Sequence, residues 1–129
     1  MFEVSIREHF DAAHFLRGYQ GRCENLHGHR YNVTVYLRAE ELNTIGLVYD
    51  FTELKGQLKA ILGRFDHVCL NDVAPFLQIN PSAENIAVTI YGDLKPHIDG
   101  SSASIHRVDV WESPEACATY VPSTAMAGD

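Results

Sequence analysis

The stretch Cys23-Glu24-Asn25-Leu26-His27-Gly28-His29 holds the residue types best suited to chemistry. Two histidines flank one glycine, and a thiol stands four residues before the first of them. Side chains two apart on an extended chain point to the same side, so His27 and His29 can converge on one ion. Gly28 has no side chain to obstruct the approach. Imidazole suits zinc, and a catalytic zinc keeps three protein ligands plus one open position. A short His-x-His motif also occurs in surface loops that hold no metal, so the reading requires a third ligand. His14, at the end of Phe10-Asp11-Ala12-Ala13-His14, is the candidate. By itself it reads as an ordinary exposed histidine.

The elements that must position these residues are legible in the apolar pattern. Phe2, Val4 and Ile6 alternate with Glu3, Ser5 and Arg7, as in a half-buried antiparallel strand. The alternation fails at Glu8, which predicts a bulge or a strand end there. Arg17 to Arg22, with Gly18 and Gly21, reads as a loop. Tyr31, Val33, Val35 and Leu37 then face one way, with Asn32, Thr34, Tyr36 and Arg38 opposite. Counting back by twos from Tyr31 reaches His29 and His27, so a strand that begins this early aims both histidines inward. Leu47-Val48-Tyr49 reads as a short strand. Asp50 and Glu53 have capping-box spacing, and Leu54, Leu58, Ile61, Leu62 and Phe65 recur at helical intervals, so a helix is expected to about Gly63 or Arg64.

Asp66-His67 follows that helix directly. It reads either as helix-end polarity or as a carboxylate that orients a proton-accepting imidazole. Adjacent side chains often point apart, so the two need not bond to each other. Asn80-Pro81-Ser82 starts a second helix, with Ser82 or Asn80 as its cap, and this helix should end before Pro96. Ser104 to Glu112 is a third strand. Val108, Val110 and Glu112 share one of its faces, so Glu112 is either an inward carboxylate that requires a partner or a solvated rim residue. Cys117 to Val121 is expected to pair with it through a Ser113-Pro114 turn.

With 129 residues, 46% of them hydrophobic and 21% charged, the chain fits one globular domain. The expected boundaries are a domain over 1–122 and a flexible C-terminal tail over 123–129. No apolar run approaches the ~20 residues of a membrane span, and the alternating N-terminus does not read as a signal peptide. The cytoplasm is therefore the expected location. Cys23, Cys69 and Cys117 are odd in number and irregularly spaced, unlike a disulfide framework. The net charge of −7 argues against nucleic acid or an anionic membrane as partner.

Taken in order, these pieces resemble the 6-pyruvoyltetrahydropterin synthase / 6-carboxytetrahydropterin synthase family over about Phe2 to Tyr120. The resemblance rests on Phe10-Asp11-Ala12-Ala13-His14, on Cys23 followed by His27-Gly28-His29, and on Asp50-Phe51 with Leu54-Lys55. It continues through Asp66-His67 with Leu70-Asn71, Pro81 with Glu84-Asn85, and Glu112. It implies an α+β tunnelling-type fold: a four-stranded antiparallel sheet with two helices on one face, assembled as trimeric barrels stacked into a homohexamer. It implies zinc on His14, His27 and His29, a catalytic Cys23, and an Asp66–His67 pair that serves the cysteine of a neighbouring subunit. It also implies a pterin-anchoring Glu112. The implied substrate is 7,8-dihydroneopterin triphosphate, with Arg17, Arg22 and Arg30 as candidate triphosphate neighbours.

The family divides by product. The spacing from Cys23 to His27 is similar to that of the bacterial queuosine-pathway type, which gives 6-carboxy-5,6,7,8-tetrahydropterin with loss of acetaldehyde and triphosphate. One alternative is 6-pyruvoyltetrahydropterin. Another is cleavage to 6-hydroxymethyl-7,8-dihydropterin for folate, for which Glu24 would be the catalytic group. A zinc-dependent pterin-binding module without turnover is the non-enzymatic alternative. It would need neither Cys23 nor Asp66 and His67.

Overall fold

A computed structural model describes residues 1–123, so most of the expected tail over 123–129 lies outside the described residues. The elements are β1 (Phe2–His14), β2 (His27–Ala39), α1 (Phe51–Leu62), α2 (Ala83–Ile98), β3 (Ser104–Ser113) and β4 (Ala116–Tyr120), with 3-10 turns at Arg22–Glu24 and Leu70–Asp72. The strands form one antiparallel sheet in the order β1-β2-β3-β4. Both helices pack on the same face. They contribute Leu54, Leu58, Ile61 and Leu62 from α1, and Ile86, Ala87, Ile90, Leu94 and Ile98 from α2. This is the two-layer α+β architecture expected.

β2 follows its alternation: Tyr31, Val33, Val35 and Leu37 are all fully buried. β1 differs from expectation because it has no bulge. Its register runs unbroken from Phe2 opposite Ala39 to His14 opposite His27. Glu8 keeps the inward phase of Val4, Ile6, Phe10, Ala12 and His14, and its carboxylate lies 3.9 Å from the Lys55 ammonium of α1. A cationic partner lets a carboxylate occupy a half-buried position, so the polar interruption does not mark the end of a strand.

Three further boundaries differ from expectation. Leu47–Tyr49 is not a strand. Its turn closes on Asn43, whose side chain accepts from the Ile45 and Leu47 N–H groups at 3.0 Å each. With its backbone groups satisfied locally, the segment needs no sheet partner, while Val48 and Tyr49 bury their side chains in the core. α2 continues through Pro96 to Ile98. Pro96 falls in the last turn, where only one helical bond is lost, and the buried Ile98 holds that turn against the core. Ser82 is the cap, accepting from Asn85 N–H at 3.1 Å. At α1, Asp50 accepts from Thr52 N–H at 2.8 Å, while Glu53 turns towards Gln57 instead of closing a capping box. Among the described residues, no helix is long and apolar enough to cross a membrane.

Candidate metal centre and active-site cleft

The β1–β2 register sets His14 opposite His27 and Ala12 opposite His29, all on the face that carries the core. The small Ala12 leaves the histidine rings room to meet. Their centroids lie 4.5 Å (His14–His27), 5.1 Å (His14–His29) and 4.8 Å (His27–His29) apart. The Nδ1 of His14 lies 2.7 Å from the Pro81 carbonyl, and the Nδ1 of His27 lies 2.6 Å from the Asn25 carbonyl. A carbonyl only accepts, so each Nδ1 carries the proton and each Nε2 of the neutral ring carries a lone pair. Those two Nε2 atoms face each other at 3.0 Å.

The third ring nitrogen, His29 Nε2, is buried with no hydrogen-bond partner among the described residues. Burial holds the pKa values of His14 and His29 below the ordinary histidine value, although Glu112 nearby pulls them up. The neutral, ligating form is thereby favoured. The three ligand atoms all lie within 4.8 Å of one another. Facing ring nitrogens this close are reconciled by a shared proton or by a cation, and three imidazoles, two of them with outer nitrogens held by carbonyls, fit zinc with an open position.

A cleft of about 210 Å³ opens beside the histidines. Its walls include His14, Leu16, Cys23, Ser82, Glu84 and Glu112. Cys23 is half-buried in the Arg22–Glu24 turn, and its carbonyl accepts from Leu16 N–H at 2.7 Å. Glu112 continues the inward phase of Val108 and Val110. The pairing of Asn32 with Trp111 carries it next to Tyr31. The Glu112 carboxylate makes no hydrogen bond among the described residues.

Sequence reasoning missed several contributors to this centre. Ser82 is visible in the sequence only as a helix cap, and Glu84 only as part of the family resemblance, with no role at the site. The carbonyls of Pro81 and Asn25, which set the histidine tautomers, have no side-chain signal at all. The hydroxyl of Tyr31, a residue read only as core, is buried beside the histidines without a partner among the described residues.

Asp66 and His67 are not in the walls of this cleft. They sit at the outer edge of β1, where Asp66 Oδ1 accepts from Asp11 N–H at 2.9 Å and His67 N–H donates to the Asp11 carbonyl at 2.6 Å. They do bond to each other, with His67 Nδ1 and Asp66 Oδ2 2.9 Å apart. His67 adopts a left-handed backbone conformation at φ 59°. Its side chain is 77% exposed. The Asp11 N–H, and then His67, hold the Asp66 carboxyl below the usual carboxylate range.

The remaining candidates lie outside the cleft walls. Arg30 is engaged by Asp11 at 2.9 and 3.1 Å. Arg17 donates to the carbonyls of Asn71, Phe76 and Ile79. Arg22 and Glu24 are exposed, and their side chains make no hydrogen bond among the described residues.

Comparison with known proteins shows the family. Residues 3–123 match the family described as 6-pyruvoyl tetrahydropterin synthase. The chain is similar to a 6-carboxy-5,6,7,8-tetrahydropterin synthase from Bacillus subtilis, at 34% identity over 94% of this chain and 86% of the relative. The enzyme of the same name from Haemophilus influenzae is 32% identical, over 93% of this chain and 99% of the relative. Among solved structures, the 6-pyruvoyl tetrahydropterin synthase of Caenorhabditis elegans superimposes with a TM-score of 0.83 at 29% identity, covering 94% of this chain and 95% of that one. A 6-pyruvoyltetrahydropterin synthase of Plasmodium vivax, described as a catalytic-residue mutant with cysteine in place of glutamate, gives a TM-score of 0.74 at 25% identity. It covers 92% of this chain and 96% of its own. The chain is a lyase-type enzyme of the 6-pyruvoyl tetrahydropterin synthase family.

Proposed function

We propose that the enzyme converts 7,8-dihydroneopterin triphosphate and one water to 6-carboxy-5,6,7,8-tetrahydropterin, acetaldehyde and triphosphate, with zinc held by His14, His27 and His29. The observation that carries this reading is the cluster of three imidazoles whose member His14 shares one cleft with Cys23 and Glu112. The bacterial relatives named for the same product support it. When bound, the ion supplies Lewis acidity to the side-chain oxygens of the substrate.

The chain's own residues do the rest. The Glu112 carboxylate accepts from the ring N–H and the amino group of the pterin, a paired contact that fixes the ring. Cys23, as thiolate, accepts a proton from the side-chain carbon next to the polarised oxygen. Arg22, exposed beside Cys23, meets the triphosphate.

A cleft of about 210 Å³ is smaller than the ~300–1,000 Å³ of typical ligand sites, and Asp66 with His67 stands open to solvent. Both observations support a site completed between subunits of a homo-oligomer, trimeric or hexameric. There the Asp66–His67 pair of one chain would draw the proton from Cys23 of another. A thiol base of this kind suits the cytoplasm. The Glu24 alternative has one specific support, the catalytic glutamate named in the Plasmodium vivax protein.

Incubation of the zinc-loaded protein with 7,8-dihydroneopterin triphosphate, followed by mass analysis of the pterins, tests the assignment. The expected main product is 6-carboxy-5,6,7,8-tetrahydropterin. A main product of 6-pyruvoyltetrahydropterin or 6-hydroxymethyl-7,8-dihydropterin would replace this reading, and binding without turnover would leave a pterin-binding module.

A further inference from the structure

The segment that follows β1 is clasped from one side and holds Cys23 with the other. Two asparagine side chains replace strand pairing along it. Asn71, which is buried, accepts from Phe15 N–H and donates to the Phe15 carbonyl, both at 3.0 Å. Asn80 does the same at Arg17, at 2.8 Å to its N–H and 3.0 Å to its carbonyl. Alternate residues of an extended segment present their backbone groups to opposite sides. Leu16, between these two, therefore points its N–H the other way and donates it to the Cys23 carbonyl at 2.7 Å.

The Arg22–Glu24 turn itself buries no residue and has no side-chain cap. Its other backbone bonds, Glu24 N–H to the Gly21 carbonyl and Asn25 N–H to the Arg22 carbonyl, are internal to the turn. The Leu16 bond ties the cysteine itself to the segment that follows β1, while the Asn25 carbonyl, two residues on, meets His27 Nδ1 at 2.6 Å. The Arg17 guanidinium locks the clasp. It donates to the carbonyls of Phe76 at 2.8 Å, Ile79 at 3.2 Å and Asn71 at 3.4 Å, which the irregular 71–79 segment turns towards it.

We infer that Arg17, with Asn71 and Asn80, is a positioning residue for the Cys23 thiol, acting through Leu16, and is not a contact for the substrate's phosphates. A planar guanidinium reaches three carbonyls from two nitrogens, whereas a lysine offers a single point charge. Charge alone is therefore not what the position requires. The inference rests on the proposed function only in taking Cys23 as the proton acceptor.

The test measures iodoacetamide alkylation of Cys23 in the zinc-loaded, substrate-free protein by peptide mass mapping, with added glutathione as reference thiol, since Cys117 lines the same cleft. Arg17→Met, Arg17→Lys and Asn80→Ala should each speed Cys23 alkylation by roughly tenfold relative to glutathione, since a charge-assisted or paired bond no longer holds the local structure closed. Zinc content should stay at the wild-type level. Arg17→Lys should lower kcat by about ten- to a hundredfold with little change in KM, as misplacement of a reacting group does. Unchanged alkylation in all three variants overturns the inference. It is also overturned if Arg17→Lys behaves as wild type while Arg17→Met raises KM for the triphosphate but leaves the Kd of dephosphorylated dihydroneopterin unchanged. Wild-type protein without pterin turnover would count against the proposed reaction and leave the alkylation result standing.

Discussion

His14, His27 and His29 are held by a strand register, and Cys23 is held by side chains. The histidines sit on paired strands whose hydrogen-bond ladder continues into the core at Phe10 and Tyr31, stacked at 4.8 Å. Cys23 stands in a turn with no buried residue, tied through Leu16 to a segment that two asparagines and an arginine clasp. A ladder is cooperative, so moving one residue by one place would turn every side chain of its strand to the other face. A clasp is a set of separate bonds that loosen one at a time. The metal centre should therefore survive changes that disable the cysteine, and the fold should survive loss of the metal.

The largest effect tests the first half of that contrast. Cys23→Ala should lower pterin turnover by roughly 10²–10⁴-fold, the usual contribution of a positioned general base, with zinc content unchanged by elemental analysis. His29→Ala should lose most of the zinc, because it removes one of the converging lone pairs. Loss of zinc in Cys23→Ala as well would show that the two regions are one structural unit.

Chelation tests the second half. The chelator-treated protein should keep its far-ultraviolet circular dichroism, since the sheet register and not the ion brings the histidines together. Free zinc at a hundred times its dissociation constant should then stabilise the wild type by about 2.7 kcal/mol, read as a rise in Tm that His29→Ala lacks. Collapse of the secondary structure on chelation would refute the register account.

Glu112 stands on a strand yet faces the cleft, so it sharpens the contrast from the ligand side. Glu112→Gln replaces a two-acceptor carboxylate with an amide that has one donor. Loss of a charged hydrogen-bond partner costs about 1.5–3 kcal/mol, so pterin affinity should fall roughly tenfold or more while zinc stays bound. Titration with a pterin analogue in a calorimeter reads this directly, and unchanged affinity would make Glu112 a rim residue. The smallest effect lies away from both regions. Asp50→Ala removes the cap of α1 and should cost about 1 kcal/mol of stability in denaturant unfolding, with zinc content and turnover unaltered.

The amino-acid order alone determined β2, the phase of its histidines, the start of α1 and the face that Glu112 shares with Val108 and Val110; it left the cap of α2 between Asn80 and Ser82. Each depends on a local period of two or 3.6 residues, or on a cap within three positions, and such signals lie within a few residues of where they act. Glu8 shows where that stops. Its charge interrupts the pattern of β1, and only Lys55 on α1, distant in the chain, shows that the strand continues. Pro96 and Leu47–Tyr49 are similar: the buried Ile98 and the Asn43 side chain decide what local propensity did not.

At the site, residue types and spacing offered His14, His27, His29, Cys23 and Glu112 as candidates, and their roles are what the family resemblance implies. The tertiary structure supplied the carbonyls of Pro81 and Asn25 that set two tautomers, and it placed Asp66 and His67 on the outer edge of β1. It also committed the Arg17 guanidinium to three carbonyls from the 71–79 segment. Backbone groups have no identity in a sequence. A guanidinium has the same charge whether it meets a phosphate or a carbonyl, so its partner is decided by which chain segments the fold brings within 3 Å or so of it.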